Sequence, residues 1–588
     1  MAPRWIFAAA IALLFPVSNA ETSAVPENLE VDLGYGIFRG TANDSTGLNT
    51  WLGIRYAEPP IGNLRWQGPQ LPSTNLTVTD ATNYGSECPQ SYPGDSVFVF
   101  APQSEDCLFL NIWSPKNATN LPVLVWIHGG GYGFGNGQQD MSTLINANNN
   151  SFIGVSIQYR LGVFGFLSSQ EVMDRGVVNA GLLDQAFALT WVEAFIKRFG
   201  GNQRSVTISG ESSGGGSVML HSLAGDAAGL GVPFQSAIAA SPYLPTQWEF
   251  NDTEPTNRYH QFATEVGCAG NETVFDCLVS KDSVTLQTAS NAISQGQTAY
   301  GEWAFLPVTD GLYVFDRPSV LLEQKKVNAK RLLVGNNANE GGLFAHNPVA
   351  PLLTEAQVRA WLPQHFPNLE EADIDNILAL YPAGSIQLDV GQETNGLTAP
   401  YANNVSQDAV GQQQRANNIY AESTFVCPSY WLASGYTGEN TTAYHYQYSV
   451  PFAEHQADIS AYFGPALPNQ SEDFVLAFRK IWGNFITKNN PSITNAEAVG
   501  VSVSAADTDA PNAATDFPVW TDMNPMSINL NETGGVPYET NTTWLTIVTQ
   551  YMEPGLRNDI TSFDAYSWEA GRGARCDYWK SIGSKIMK

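Results

Sequence analysis

The chain has few histidines, few cysteines and little positive charge. It has 7 histidines and 6 cysteines in 588 residues, with no Cys-x-x-Cys or His-x-x-x-His pair. Those spacings hold structural and catalytic metals, so no metal site is expected. The 28 basic residues face 56 acidic ones, for a net charge of −28. Such a surface repels nucleic acid and anionic membranes, and neither is an expected partner. The acids are scattered, so no acidic tail is implied. Beyond the first 20 residues no apolar run is long enough to span a bilayer, which takes about 20 residues. No repeat period is visible, and no Pro/Ser-rich linker follows residue 25. The expected organisation is therefore a signal segment over 1–20 and one domain over 21–588.

Met1 to Arg4 is a short positive region. Trp5 to Pro16 is apolar, and Val17-Ser18-Asn19-Ala20 is a small-x-small end. That order reads as a secretory signal peptide cut after Ala20, and Ser581 to Lys588 carries no lipid-anchor pattern. Asn-x-Ser/Thr sequons stand at Asn43, Asn75, Asn117, Asn149, Asn251, Asn271, Asn404, Asn440, Asn469, Asn531 and Asn541. In an exported chain these are candidate N-glycan sites. Six cysteines in an oxidising compartment imply three disulfides, and the sequence alone allows 15 connectivities. The expected localisation is extracellular.

Leu121 to His128, Phe152 to Tyr159 and Ser205 to Ser209 are short apolar runs, read as strands buried on both faces. Ala180 to Arg198 carries Leu182, Leu183, Ala186, Leu189, Trp191, Val192 and Phe195 at helical spacing. Ala237 to Ala240 and Arg331 to Gly335 read as further strands. Residues 350–425 read as helical or irregular, with a polar loop over 392–414. Strands alternating with helices predict an α/β fold: a large, mostly parallel central sheet flanked by helices, with helical insertions.

Val206-Thr207-Ile208-Ser209 runs directly into Gly210-Glu211-Ser212-Ser213-Gly214. A G-x-S-x-G turn between strand and helix lifts a serine oxygen above the sheet edge, beside N–H groups that favour negative charge. Ser212 is the candidate nucleophile. A serine nucleophile needs an oxyanion hole, and His128-Gly129-Gly130-Gly131 follows a buried strand. The candidate donors are the N–H groups of Gly130, Gly131 and Ser213. No Gly-Lys-Ser/Thr follows these glycines and no G-x-G-x-x-G completes, which excludes a nucleotide loop.

In this arrangement the acid and then the histidine follow the serine in chain order. Glu340, just past the strand ending at Gly335, is the candidate acid, and Asp310 is its rival. Of the histidines after Glu340, His346 is too close to it in sequence. His365 lies in the helical insert, and His445 alternates with Tyr444 and Tyr446 as a packed strand residue would. His455, in the loop after that run, is the candidate base.

These motifs resemble those of the type-B carboxylesterases, the family that includes the cholinesterases and the large fungal lipases. Phe199-Gly200-Gly201 followed by Val206 through Gly214 matches its serine signature. Glu105 to Pro115 matches its second signature, with Phe109 where Tyr is usual. Leu52 to Pro60 also matches, with Arg55 where Pro is usual. The likeness runs over nearly the whole mature chain. It implies a secreted, fungal-type α/β-hydrolase that cleaves esters with a Ser212–Glu340–His455 triad and no cofactor. It also implies disulfides Cys88–Cys107, Cys268–Cys277 and Cys427–Cys576. Trp248 and Tyr132 become candidates for the substrate pocket, and Glu211 and Ser241 for support behind the triad. Each of these four also fits an ordinary core position.

In cholinesterases a Trp in the first disulfide loop holds the choline cation. Residues 89–106 contain no Trp, which argues against choline esters. The fungal lipases carry a longer amphipathic lid there. Here the loop holds 18 residues (107 − 88 − 1), with apolar Val97, Phe98, Val99 and Phe100. A short cover points to soluble or short-to-medium acyl esters. The alternatives are a lipase or sterol esterase, and a non-catalytic adhesion protein on the same fold. The serine, acid and histidine together argue against the last.

Overall fold

The computed structural model describes residues 28–94, 101–224, 233–347, 350–384, 396–399, 401, 406–500, 511–542 and 546–588. The signal segment, Val97 to Phe100 and Asn404 lie outside them. Two compact units are distinguished. One comprises Met1–Ala237, Gln247–Thr298 and Glu302–Arg317, and the other Ile238–Thr246, Ala299–Gly301 and Pro318–Lys588.

The first unit carries β1 (Glu30–Asp32), β2 (Gly36–Arg39), β3 (Thr41–Asn43), β4 (Leu48–Arg55), β5 (Asn75–Asp80), β6 (Phe109–Pro115), β7 (Leu121–Ile127), β8 (Ile153–Ile157) and β9 (Gly201–Glu211). β1, β2 and β5 form a small sheet, and the main sheet runs β9-β7-β8-β6-β4-β3. β7 is parallel to both β8 and β9, whereas β6, β4 and β3 continue antiparallel. The parallel strands are the continuous apolar runs of the sequence. All five residues of β8 are buried, as are the last five of β7. The helix Ala180–Phe195 follows β8 and continues as a 3₁₀ turn over Ile196–Phe199.

β10 (Ser236–Ala240) carries the chain into the second unit. That unit holds β11 (Arg331–Asn337), β12 (Thr442–Tyr448), β13 (Met526–Asn541) and β14 (Ile547–Asp564). β11, β12 and β13 are mutually parallel, and β14 returns antiparallel along β13 in a long hairpin. The sequence reading missed this hairpin. Much of β13 and β14 is exposed and rich in Asn, Thr and Gly, without the apolar run that marks a buried strand. The polar loop expected to reach residue 414 ends earlier, because a helix spans Gly411–Ala421. Its buried face is polar, with Gln413 and Gln414 bonded to Ala345 O and Ser406, so apolar periodicity could not reveal it. The helix Glu472–Lys488 follows from clear signals. Ser471 caps its first turn by accepting from Phe474 N, and Asn489 closes it in the left-handed conformation.

Disulfides join Cys88 to Cys107, Cys268 to Cys277 and Cys427 to Cys576. The third lies close to a buried ion cluster in which Arg572 and Arg575 both bond Glu422. Arg575 alone supplies two parallel bonds, the geometry in which a buried pair best repays its desolvation.

Three of the buried histidines are held neutral. Burial lowers His128 from its usual 6.5 to about 4, and His221 and His445 to about 3. His445 sits in β12 between the hydroxyls of Ser429 and Ser527, a packed strand residue as its alternation implies. The unfolded chain binds these protons more readily than the fold does. Stability is therefore full above pH 6.5 and is lost as pH falls toward the folded values. The slope is about 1.4 kcal/mol per pH unit for each group once the unfolded histidine is protonated. Thermal midpoints measured from neutral to mildly acidic pH should fall, and less steeply in His445→Gln. Equal slopes would contradict this.

Candidate active site

Ser212 stands between β9 and the helix Ser213–Leu223, with φ 56° and ψ −125°. That backbone is strained for a side-chain-bearing residue, at a cost of about 1–3 kcal/mol. Two glycines make it possible. A Cβ on Gly210 would come within 2.4 Å of the Gly214 backbone, and one on Gly214 within 2.1 Å of the Ile127 carbonyl oxygen. The strand end and the helix start thus approach each other more closely than any side chain allows. The G-x-S-x-G spacing is the sequence record of that approach.

The triple-glycine segment leaves β7 against this turn. A Cβ on Gly129 would lie 3.0 Å from Ser212 Cβ and 3.1 Å from a carboxylate oxygen of Glu211. Gly130 and Gly131 have φ of 105° and 61°, open to glycine. The Gly130 carbonyl accepts from both Gly133 N and Phe134 N, which folds the segment back on itself. Among the described residues no backbone acceptor takes the N–H groups of Gly130, Gly131 or Ser213. The Tyr159 hydroxyl holds the His128 carbonyl, and the two rings stack at 4.4 Å.

The other candidates in this unit have plainer surroundings. Tyr132 is buried edge-on to Phe166 at 5.2 Å. Trp248 is half-buried, and its carbonyl accepts from Thr309 N. Asp310, the rival acid, is a loop cap. One of its oxygens accepts from the N–H groups of Leu312, Tyr313 and Val314, and the other from Asn179. A side chain that no motif flagged is Trp303. Cβ atoms on Gly131 and Gly133 would both fall 2.3 Å from its ring, so it packs flat against the glycine segment. A single Trp carries no spacing signal, and only the fold brings it there.

In the second unit Glu340 and His455 leave the same ends of the paired parallel strands β11 and β12. His455 Nδ1 lies 2.5 Å from Glu340 Oε2. The other carboxylate oxygen accepts from the Ser241 hydroxyl and from Asn337 N, each at 2.6 Å. Glu340 and Ser241 have 0% exposure, so this carboxyl group is oriented by donors and shielded from water. The two loops are stitched together. Asn339 N donates to Ala453 O, the Asn339 amide to Phe452 O, and Ala338 N to Tyr448 O. His455 packs on Phe425 at 4.6 Å and Phe344 at 5.0 Å, with Tyr243 stacked on Phe425 at 5.4 Å. His346 instead faces Asp408, and His365 lies over Trp361. Asn337, Phe344, Phe425 and Asp458 complete the surroundings of the pair, and sequence patterning had not marked them.

These features are those of a hydrolase class: an α/β fold with a strained serine turn, a glycine segment beside it and a carboxylate–histidine pair on later loops. The carboxylesterase family pattern matches residues 27–538, and the chain belongs to that family. Lipase 5 of Diutina rugosa is 31% identical over 430 residues, covering 67% of this chain and 76% of that one. Acetylcholinesterase of Danio rerio is 29% identical over 545 residues, covering 82% and 83%. Among solved structures, Aspergillus niger EstA superposes with a TM-score of 0.72 at 26% identity, covering 95% of this chain and 99% of that one. A PNB esterase gives 0.66 at 26% identity, covering 89% and 97%. The fold is that of the α/β-hydrolase esterases, and the protein is a carboxylic ester hydrolase.

Gly214→Ala forces a methyl group into the Ile127 carbonyl and moves the serine turn. The variant should lose at least about 2 kcal/mol of stability and most of its esterase activity. Denaturant titration and nitrophenyl-acetate turnover check this, and a fully active, equally stable variant would refute the steric account.

Proposed function

We propose that the protein is a secreted serine esterase acting on soluble esters of short-to-medium acyl chains through Ser212, His455 and Glu340. The observation that carries the triad is the buried 2.5 Å contact between His455 Nδ1 and Glu340, the orienting contact that a general base needs. The strained Ser212 turn supports the choice of nucleophile.

His455 removes the Ser212 proton as the oxygen attacks the ester carbonyl. The N–H groups of Gly130, Gly131 and Ser213 hold the oxyanion, each such donor lowering the barrier by roughly 3–4 kcal/mol. The imidazolium returns its proton to the departing alcohol, leaving an acyl-serine. Water, deprotonated by the same imidazole, then releases the acid. Glu340 holds the imidazole orientation and fixes its tautomer. No step calls for a cofactor. Residues 21–588 act as one catalytic domain in this reading.

The 18-residue loop between Cys88 and Cys107, without a Trp, favours small soluble esters over choline esters and emulsified lipid. The likeness to a Diutina rugosa lipase favours the second reading, long-chain lipid esters. Export is supported by three disulfides, and no helix among the described residues is long and apolar enough to cross a membrane. Glycans fit the exposed sequons at Asn43, Asn75, Asn117, Asn149, Asn251, Asn271, Asn440 and Asn541. Asn469 is buried with its amide donated to the Pro451 carbonyl, which closes that sequon.

The test is a nitrophenyl ester series of increasing acyl length, run on enzyme recovered from the medium of an expressing eukaryotic host. Activity should peak at short or medium chains, and Ser212→Ala should lose at least about a thousandfold in kcat/KM. An active Ser212→Ala removes the mechanism. A preference for long emulsified chains replaces the esterase with a lipase, and retention in the cells removes export.

A further inference from the structure

A second carboxylate lies behind the acid–base pair. Asp458 follows His455 by three residues and is 1% exposed. Its Oδ1 accepts from the Asn337 side-chain amide at 3.1 Å, and the same amide nitrogen reaches the Ser241 hydroxyl at 3.2 Å. Ser241 in turn donates to Glu340, and Asn337 donates to Glu340 through its backbone. A continuous hydrogen-bonded chain therefore links Asp458, Asn337, Ser241, Glu340 and His455.

Burying a carboxylate is expensive, and this one has no Lys or Arg ion pair among the described residues. The ionisable groups that face it are Glu340 on the acid loop, His455 on its own loop and Tyr448 at the end of β12. Burial, together with the Glu340 charge, pushes Asp458 up from 3.8 to about 7, against the lowering pull of the Asn337 amide and His455. A side chain that served packing alone would be filled more cheaply by Asn or Leu. The one nearby group on which a positive charge forms during turnover is His455.

We propose that Asp458 is a positioning residue for ester hydrolysis: ionised, it supports the charge that His455 takes up, and through Asn337 it fixes the Ser241–Glu340 pair. This rests on the triad reading above. The Asp458 carboxylate and Glu340 then act together on the imidazolium, with Asp458 exerting its effect through space and through one amide. To lend this support Asp458 must be ionised, and burial holds its carboxyl up at about 7. Removing the carboxylate therefore removes one ionisation from the acid side of the rate profile.

The experiment compares wild type, Asp458→Asn, Asp458→Glu and Ser212→Ala on a neutral nitrophenyl ester, following kcat and KM from about pH 5 to about pH 9. In Asp458→Asn the acid limb of kcat/KM should move down by about half to one pH unit. The kcat plateau should fall roughly tenfold with KM little changed, and Asp458→Glu should recover most of both. An unshifted limb in a folded Asp458→Asn, whatever its rate, overturns the proposal and leaves a packing role. If Asp458→Asn does not fold, the wild-type limb decides. Two ionisations on the acid side support the proposal, and a single one overturns it. An active Ser212→Ala would instead bring down the triad reading, so the two failures are distinguishable.

Discussion

The left-handed backbone of Ser212 is the constraint around which the first unit is arranged. No serine adopts φ 56°, ψ −125° without being forced, and here the forcing elements are β9 on one side and a buried helix on the other. Gly210 and Gly214 are glycines because the two elements touch backbone to backbone at those positions. Gly129 is small because the serine turn sits against it, and Gly131 and Gly133 are small because Trp303 does. One strained residue thus accounts for much of the glycine pattern in two motifs more than 70 residues apart in the chain.

The second unit solves a different problem, the storage of buried charge. Glu340 is wholly enclosed, yet each of its oxygens has a donor: Ser241 and Asn337 on one, His455 on the other. Satisfaction of this kind lets a carboxylate remain inside a protein. Aromatic rings from Phe344 and Phe425 hold the imidazole in place without adding charge. Left-handed residues on both sides of His455, Ala453 at φ 53° and Gln456 at φ 75°, bend its loop tightly around it. The strain is offset by the hydrogen bonds between the loops that carry Glu340 and His455.

What could be read from the sequence follows from what leaves a local signal. β7, β8 and β9 were legible because strands buried on both faces are uninterrupted apolar runs. Ser212 and the glycine segment were legible because backbone contact demands glycine at fixed offsets. Glu340 and His455 became candidates by position after strands and by chain order, whereas the N–H donors that make Asp310 a loop cap leave no such signal. The β13–β14 hairpin escaped because exposed strands carry polar, glycine-bearing sequence. Trp303, Asn337 and Asp458 escaped because their roles depend on neighbours distant in sequence or on burial. Neither is written in spacing.

The central claim is that Ser212 is the attacking nucleophile. The most direct measurement is covalent trapping with a fluorophosphonate, followed by peptide mapping. The account predicts one adduct per chain, on Ser212, forming in proportion to the loss of esterase activity and far more slowly in His455→Ala. Activity lost without modification of Ser212, or an adduct on a different residue, would contradict it.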